Sequence, residues 1–317
     1  MHALGSALLG VLLLAAPSAQ AFPDRPVRIV VGFAPGGSDI SLRILTPKLA
    51  ELWGQQVIVD NRAGAAGNLG AEIVANAAPD GHTVLLCVNS YTINTTVYRK
   101  LTWDLLRDFA AVGRYGYSPM AVVVNDKVPA KTLPELISFA RANPGKLNYG
   151  SAGAGTAPHL AAELFAIQAG VKMVHVPYKG SAPSVTALIA KEVDLSFGAL
   201  SAFDAVIKDG RVRTLAVTTA KRSAQVPEVP TVSEAGINGF DVDIWYGLIV
   251  PAKTPAATVK KMSDDLARVL ADPDTQAKLR SRGVEPAYLD AGRTDELLRR
   301  DVARWREVAN RVQLSLD

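Results

Sequence analysis

Along the chain, short apolar runs rich in β-branched residues alternate with longer stretches whose apolar positions recur every three or four residues. The runs at 27–31, 57–59, 83–88, 121–124, 173–176, 193–197 and 214–217 predict strands. Between them the spacing turns helical, as at 133–142, where Thr132 can cap and Pro134 suits the first turn. Near the end, Thr254 and Pro255 predict the N-cap and first position of a helix with the stripe Val259, Met262, Leu266, Val269 and Leu270. Thr294 is expected to open another, carrying Leu297, Leu298, Val302, Trp305 and Val308. This alternation predicts an α/β fold with parallel sheets covered by helices, and such folds bind ligands beyond the carboxyl ends of their strands.

Two strand-to-helix junctions stand at such ends. The first reads Gly32-Phe33-Ala34-Pro35-Gly36-Gly37-Ser38-Asp39, and the second Gly150-Ser151-Ala152-Gly153-Ala154-Gly155-Thr156-Ala157-Pro158-His159. Small residues and hydroxyls ahead of a helix leave backbone N–H groups free and allow close approach, which suits a carboxylate or phosphate. A tight turn alone would also use these glycines. Two such junctions in two halves of the chain suggest an anion gripped from both sides, with the hydroxyls of Ser151 and Thr156 as its anchor in the second half.

Composition narrows the class. Residues 1–21 carry an apolar core and the pattern Ala19-Gln20-Ala21, which predicts a cleaved secretory signal peptide ahead of Phe22. Removing 21 of 317 residues leaves 296, enough for two lobes, and no later run is long enough to span a bilayer. The net charge of +4 is dispersed, so nucleic acid is a poor partner. Cys87 stands alone in an apolar strand-like run and is read as an inert buried thiol. The first junction lacks the lysine of a phosphate-binding loop, the second lacks the last glycine of a dinucleotide fingerprint, and Tyr149 stands where a nucleophile elbow needs glycine. His82, His159 and His175 lack metal-ligand spacing, and His159 is expected to cap or line the second loop; no metal or cofactor is called for. Asp39 can counter a ligand ammonium, or cap its helix and meet Arg43 one turn on. Trp245 and Tyr246 fit packing near a lobe crossing better than a cleft wall.

With these motifs assembled, the chain resembles the extracytoplasmic solute receptors of tripartite tricarboxylate transporters, the TctC or Bug type. The carriers are residues 22–31, the Pro35-Gly36-Gly37 loop with Asp39, residues 61–70, 151–160, 176–183, 215–218 and 230–236, in that order. Ala63 stands where the family usually has proline. The resemblance implies a periplasmic-binding-protein fold of two parallel-sheet lobes with a ligand cleft between them, lobe one at 22–117 plus 246–317 and lobe two at 118–245. It places ligand contacts at Phe33, Ala34, Pro35, Gly36, Gly37, Ser38, Asp39, Gly64, Ala66, Gly67, Asn68 and Ser90 in lobe one. In lobe two they fall on Ser151, Ala152, Gly155, Thr156 and Tyr178. The implied protein is a periplasmic, monomeric, non-catalytic receptor that captures a small organic carboxylate and delivers it to membrane permease subunits. Delivery to a sensor kinase is the alternative, and an exported enzyme on the same scaffold a distant third.

Overall fold

In the computed structural model, which describes residues 22–316 apart from Ala34 and Gly36, the predicted alternation takes shape from β1 (Val27–Val31) and α1 (Gly37–Trp53) onward. There follow β2 (Val57–Asn61), α2 (Asn68–Ala75), β3 (Thr83–Val88), α3 (Asn89–Val97), α4 (Leu105–Asp108) and the 16-residue β4 (Phe109–Val124). The chain continues through α5 (Leu133–Ala142), β5 (Asn148–Ser151), α6 (Ala157–Ala169), β6 (Val174–Pro177), α7 (Ser181–Ile189), β7 (Leu195–Ala199), α8 (Leu200–Lys208) and β8 (Arg213–Val217). It returns along β9 (Asp243–Pro251) and ends with α9 (Ala256–Ala271), α10 (Pro273–Arg280), β10 (Glu285–Leu289) and α11 (Ala291–Arg311). The predicted signal peptide lies outside the described residues.

Each predicted strand run lies in or overlaps a strand, and Thr132 caps α5 by accepting from the Glu135 N–H at 3.4 Å. Two helix starts differ from expectation. Thr254 does not cap α9; its hydroxyl donates to the Pro251 carbonyl at 2.7 Å, and Pro255 occupies the cap position. Thr294 lies inside α11, which Asp290 caps by accepting from the Arg293 N–H at 2.9 Å. The Thr294 hydroxyl serves tertiary structure, accepting from the Arg114 N–H at 2.9 Å and donating to the Leu289 carbonyl at 3.1 Å.

The strand order is β2-β1-β3-β9-β4-β7-β5-β6, with β8 and β10 also pairing β4. Pairing is parallel for β1 with β2 and β3, and for β5 with β6 and β7. It is antiparallel for β9 with β3 and β4, and for β4 with β7, β8 and β10. The sheet is therefore mixed where parallel sheets were expected, because the chain leaves the first half along β4 and comes back along its neighbour β9. Neither β9 nor the start of β4 stands out in sequence, since glycines interrupt both. Tertiary contact explains them: a Cβ on Gly247 would lie 3.0 Å from the Gly113 carbonyl oxygen, and one on Gly116 would lie 2.7 Å from that of Glu285.

Two large cores flank the shared strand. The first gathers β1, β3, α1 and α9 with Tyr91, Tyr115, Trp245 and Leu298; the second gathers α5 and α6 with Ile93, Val97, Met120, Phe197, Phe240 and Trp305. A smaller cluster around Ala121, Val123, Leu188 and Phe203 covers another part of the β4 end. Helices α3 and α11 each send residues into both large cores. Trp245 and Tyr246 are packing residues, with Trp245 donating to Asp301 at 2.7 Å and Tyr246 stacked on Tyr115 at 5.8 Å between ring centres. Cys87 is buried, which raises its thiol pKa, and carries no disulfide.

Candidate functional site

The loop after β1 is held by polar contacts from three directions. Asn61, at the end of β2, donates its amide to the Phe33 carbonyl at 3.0 Å and accepts from Arg43 at 3.1 Å. Arg43 in turn pairs with the buried Asp39 at 3.0 Å, so the helix-internal contact expected for Asp39 is present. Ser41 donates to the Ser38 carbonyl at 2.8 Å and shares a hydrogen bond of 2.7 Å with Tyr115. Ala34 and Gly36 fall outside the described residues. Pro35 is exposed, Ser38 and Phe33 are half-buried, and Gly37 begins α1.

A second loop, at 64–68, packs against the first. Gly67 has φ +95°, and a Cβ there would come within 2.9 Å of the Phe33 ring and 3.1 Å of the Tyr91 hydroxyl. Glycine is required on both counts. Gly70, one turn into α2, approaches so closely that a Cβ would sit 2.7 Å from Gly32 Cα. Phe33 meets Tyr91 edge to face at 6.0 Å, and the half-buried Ser90 precedes Tyr91 in α3. Phe33, Gly67 and Ser90 are thus brought into one neighbourhood by Tyr91.

The second junction is built around stacked imidazoles. His159 and His175 lie face to face with ring centres 3.8 Å apart, and Tyr149 stacks on His175 at 4.9 Å. Burial, reinforced by His175, pushes the His159 pKa down to about 3, and burial takes His175 down to about 4. A neutral His159 can therefore accept through Nδ1 from the Gly155 N–H at 3.1 Å, as it does. His175 Nε2 hydrogen-bonds the fully buried Ser151 hydroxyl at 2.7 Å. The Thr156 hydroxyl donates to the Gly153 carbonyl at 2.7 Å. In this geometry both hydroxyls secure their own loop, and the amides of Ala152, Ala154 and Ala157 remain unbonded to other described residues ahead of α6. Tyr178 joins the loop through its N–H, bonded to the Ser151 carbonyl at 3.1 Å, while Gly180 N–H reaches the Ala152 carbonyl at 3.0 Å.

The predicted residues therefore form two clusters, one per core. Helix α3 and the C-terminal segment connect them. The Leu316 N–H bonds the Val97 carbonyl at 2.7 Å, and a Cβ on Gly155 would meet Leu316 at 2.8 Å and Val97 at 3.8 Å. Sequence reading missed Asn61, Tyr91, Asn94 and the partnership of His159 with His175. Asn61 and His159 stood inside recognised motifs; Tyr91, Asn94 and His175 act through contacts distant in the chain.

A family model described as the tripartite tricarboxylate transporter family receptor matches residues 41–314. A protein from the tcbD-tcbE intergenic region of Pseudomonas sp. is 38% identical over 298 residues, covering 93% of this chain and 89% of that one. Protein BugT of Bordetella pertussis is 30% identical over 318 residues, covering 98% of each chain. Among solved structures, an R. palustris protein with adipate superposes with TM-score 0.82 at 34% identity, covering 93% of this chain and 99% of that one. MatC from Rhodopseudomonas palustris with bound malate gives 0.77 at 30% identity, covering 90% and 99%. The family and these neighbours are binding proteins, and no helix among the described residues is long and apolar enough to cross a membrane. The chain belongs to the tripartite tricarboxylate transporter family of receptors.

Proposed function

We propose that this protein is a periplasmic receptor that captures a small carboxylate between two lobes and delivers it to the membrane permease of a tripartite transporter. The observation that carries this reading is the pair of relatives solved with adipate and malate, each aligned over at least 90% of this chain. The site geometry is compatible with it: unbonded amides at the start of α6 suit an anion, and the loops around Phe33 and Gly67 supply a second surface. The lobes are assigned to 22–117 plus 246–317 and to 118–245, with β4 and β9 as the crossing strands. The contacts carried over from the family are assigned to Phe33–Asp39, Gly64, Ala66–Asn68, Ser90, Ser151, Ala152, Gly155, Thr156 and Tyr178. The protein works as a monomer, exported by its signal peptide.

Titration calorimetry with malate and adipate, paired with small-angle scattering, tests this. A dissociation constant of roughly micromolar or below, about −8 kcal/mol, is expected for at least one of them. The radius of gyration should fall on saturation as the lobes close. Saturation with no change in shape, or turnover of the ligand into a product, would refute the receptor reading. Capture of the permease subunits by the loaded protein, and not by the empty one, is the expected outcome for delivery.

A further inference from the structure

We propose that Asn94 is a positioning residue for the ligand: it holds the loop at 64–68 in shape and sets which end of the Asn68 amide is offered to a carboxylate. This rests on the reading of the site given above.

The loop is locally unfavourable. Ala65 (φ 47°) and Ala66 (φ 54°) both occupy the left-handed region, which each L-residue disfavours roughly tenfold. Within the loop the Gly67 N–H closes on the Gly64 carbonyl at 2.9 Å and the Asn68 N–H on the Ala65 carbonyl, both backbone bonds of a single turn. Asn94 supplies the rest. Its side-chain amide, 1% exposed, donates to the Ala66 carbonyl at 3.0 Å and to Asn68 Oδ1 at 2.7 Å. The helix that carries it is fixed from both sides, since Tyr91 belongs to the first core while Ile93 and Val97 belong to the second. Asn94 is thus a rigid donor pointed at a strained, exposed loop.

The contact to Asn68 has a chemical consequence. Asn68 must turn its oxygen toward Asn94, which leaves its NH2 group, unbonded to any described residue, on the other side. An NH2 group donates to a carboxylate; an amide oxygen would repel one. Asn94 therefore selects the productive orientation of a neighbour assigned to ligand contact, without touching the ligand.

Four proteins decide the matter: wild type, Asn94→Ala, Asn94→Asp and Asn94→Ala combined with Ala66→Gly, each examined by amide hydrogen exchange and by titration with malate and adipate. Both variants should speed exchange at the Gly67 N–H and weaken binding by roughly tenfold or more, since one strained backbone preference is no longer opposed. Asn94→Asp should be the worse, because an acceptor in place of a donor turns the Asn68 amide around and presents its oxygen to the ligand. Ala66→Gly placed in the Asn94→Ala protein should recover part of the affinity, since glycine adopts the left-handed conformation freely. A purely structural Asn94 would lower the melting temperature in both variants with no difference in affinity between them and no recovery by Ala66→Gly, and that result overturns the proposal. Unchanged exchange at Gly67 overturns it as well. If Asn94→Asp fails to fold, Asn68→Asp presents an oxygen at the same place and should lose affinity by a similar factor; full affinity there is also contrary. A wild type that binds neither acid overturns the carboxylate reading and with it the ligand-facing half of this proposal, while exchange at Gly67 still decides whether Asn94 holds the loop.

Discussion

At Gly67 the chain combines a positive φ with a packing site that has no room for a methyl group. Gly67→Ala should therefore lower unfolding stability by about 1–3 kcal/mol, measured by urea denaturation, and weaken malate or adipate binding through displacement of Phe33. A variant with wild-type stability and affinity would show that the loop relaxes freely. Thr156 illustrates how a hydroxyl proposed for a ligand can serve its own loop. Its hydroxyl donates to Gly153 in the loop, so Thr156→Val should cost about 1 kcal/mol of stability and reduce affinity by loosening the loop. Affinity lost with stability and Gly155 exchange both unchanged would instead return the hydroxyl to direct ligand contact. For Asp39, the half-exposed Arg43 already offsets the charge, so Asp39→Asn should change the affinity for a dicarboxylate by only a few-fold, in either direction. Titration of that variant showing a much larger loss would place Asp39 against the ligand itself. Among the candidate residues, the glycines and the loop positions were legible because backbone conformation is a local property. His159 was legible as a cap of its loop, whereas Asn94 and His175 were not, because their function lies in what they touch across tens of residues.

Elements that join the two cores carry the strongest consequences for loop order. The C-terminal segment pairs Leu316 with Val97, and Arg99 donates to the Ser315 hydroxyl at 2.8 Å. Leu316 also packs over Gly155, which has φ +74°. Truncation after Gln313 should cost about 1–3 kcal/mol from the lost apolar contacts and accelerate exchange at the Gly155 N–H, whose acceptor is His159. Exchange at Gly155 unaffected by the truncation would mean that α6 and His159 hold the loop unaided. Helix α5 was readable to the residue, since Thr132 and Pro134 announce it and its burial follows its own spacing. The starts of α9 and α11 were misread because Thr254 and Thr294 spend their hydroxyls on turn and strand carbonyls, contacts that no local cap signal distinguishes.

Across the whole molecule, acid should destabilise the fold, with the sign set by two histidines against two carboxyls, all buried or half-buried. Unfolded histidines take up protons below about pH 6.5, whereas folded His159 and His175 resist until about 3 and 4, so their contribution is full above 6.5 and is lost as pH falls through that range. Asp243 acts in the opposite direction. Burial at the start of β9, opposed by Arg114 and aided by Asp241 and Asp301, raises its carboxyl to about 7, so the folded state keeps a proton that the unfolded chain releases near pH 4. Burial raises the Asp301 carboxyl as well, by less; between about pH 5 and 6.5 the two histidines outweigh Asp243 and Asp301 together, and stability should rise with pH. Asp243→Asn removes the opposing contribution and should steepen that rise by at most about 1.4 kcal/mol per pH unit, read from urea midpoints across the window. A flatter profile in the variant would contradict the assignment. The sequence by itself determined the alternation of strands and helices, the two small-residue strand-to-helix junctions and the family, because periodicity, turn chemistry and motif order are written locally. Only the tertiary structure decided the mixed pairing around β4 and β9, the sharing of α3 and α11 between two cores, and the holds of Asn94 and His175 on their loops. Those depend on which distant segments meet, and close packing and hydrogen-bond satisfaction choose among partners that no single stretch of chain specifies.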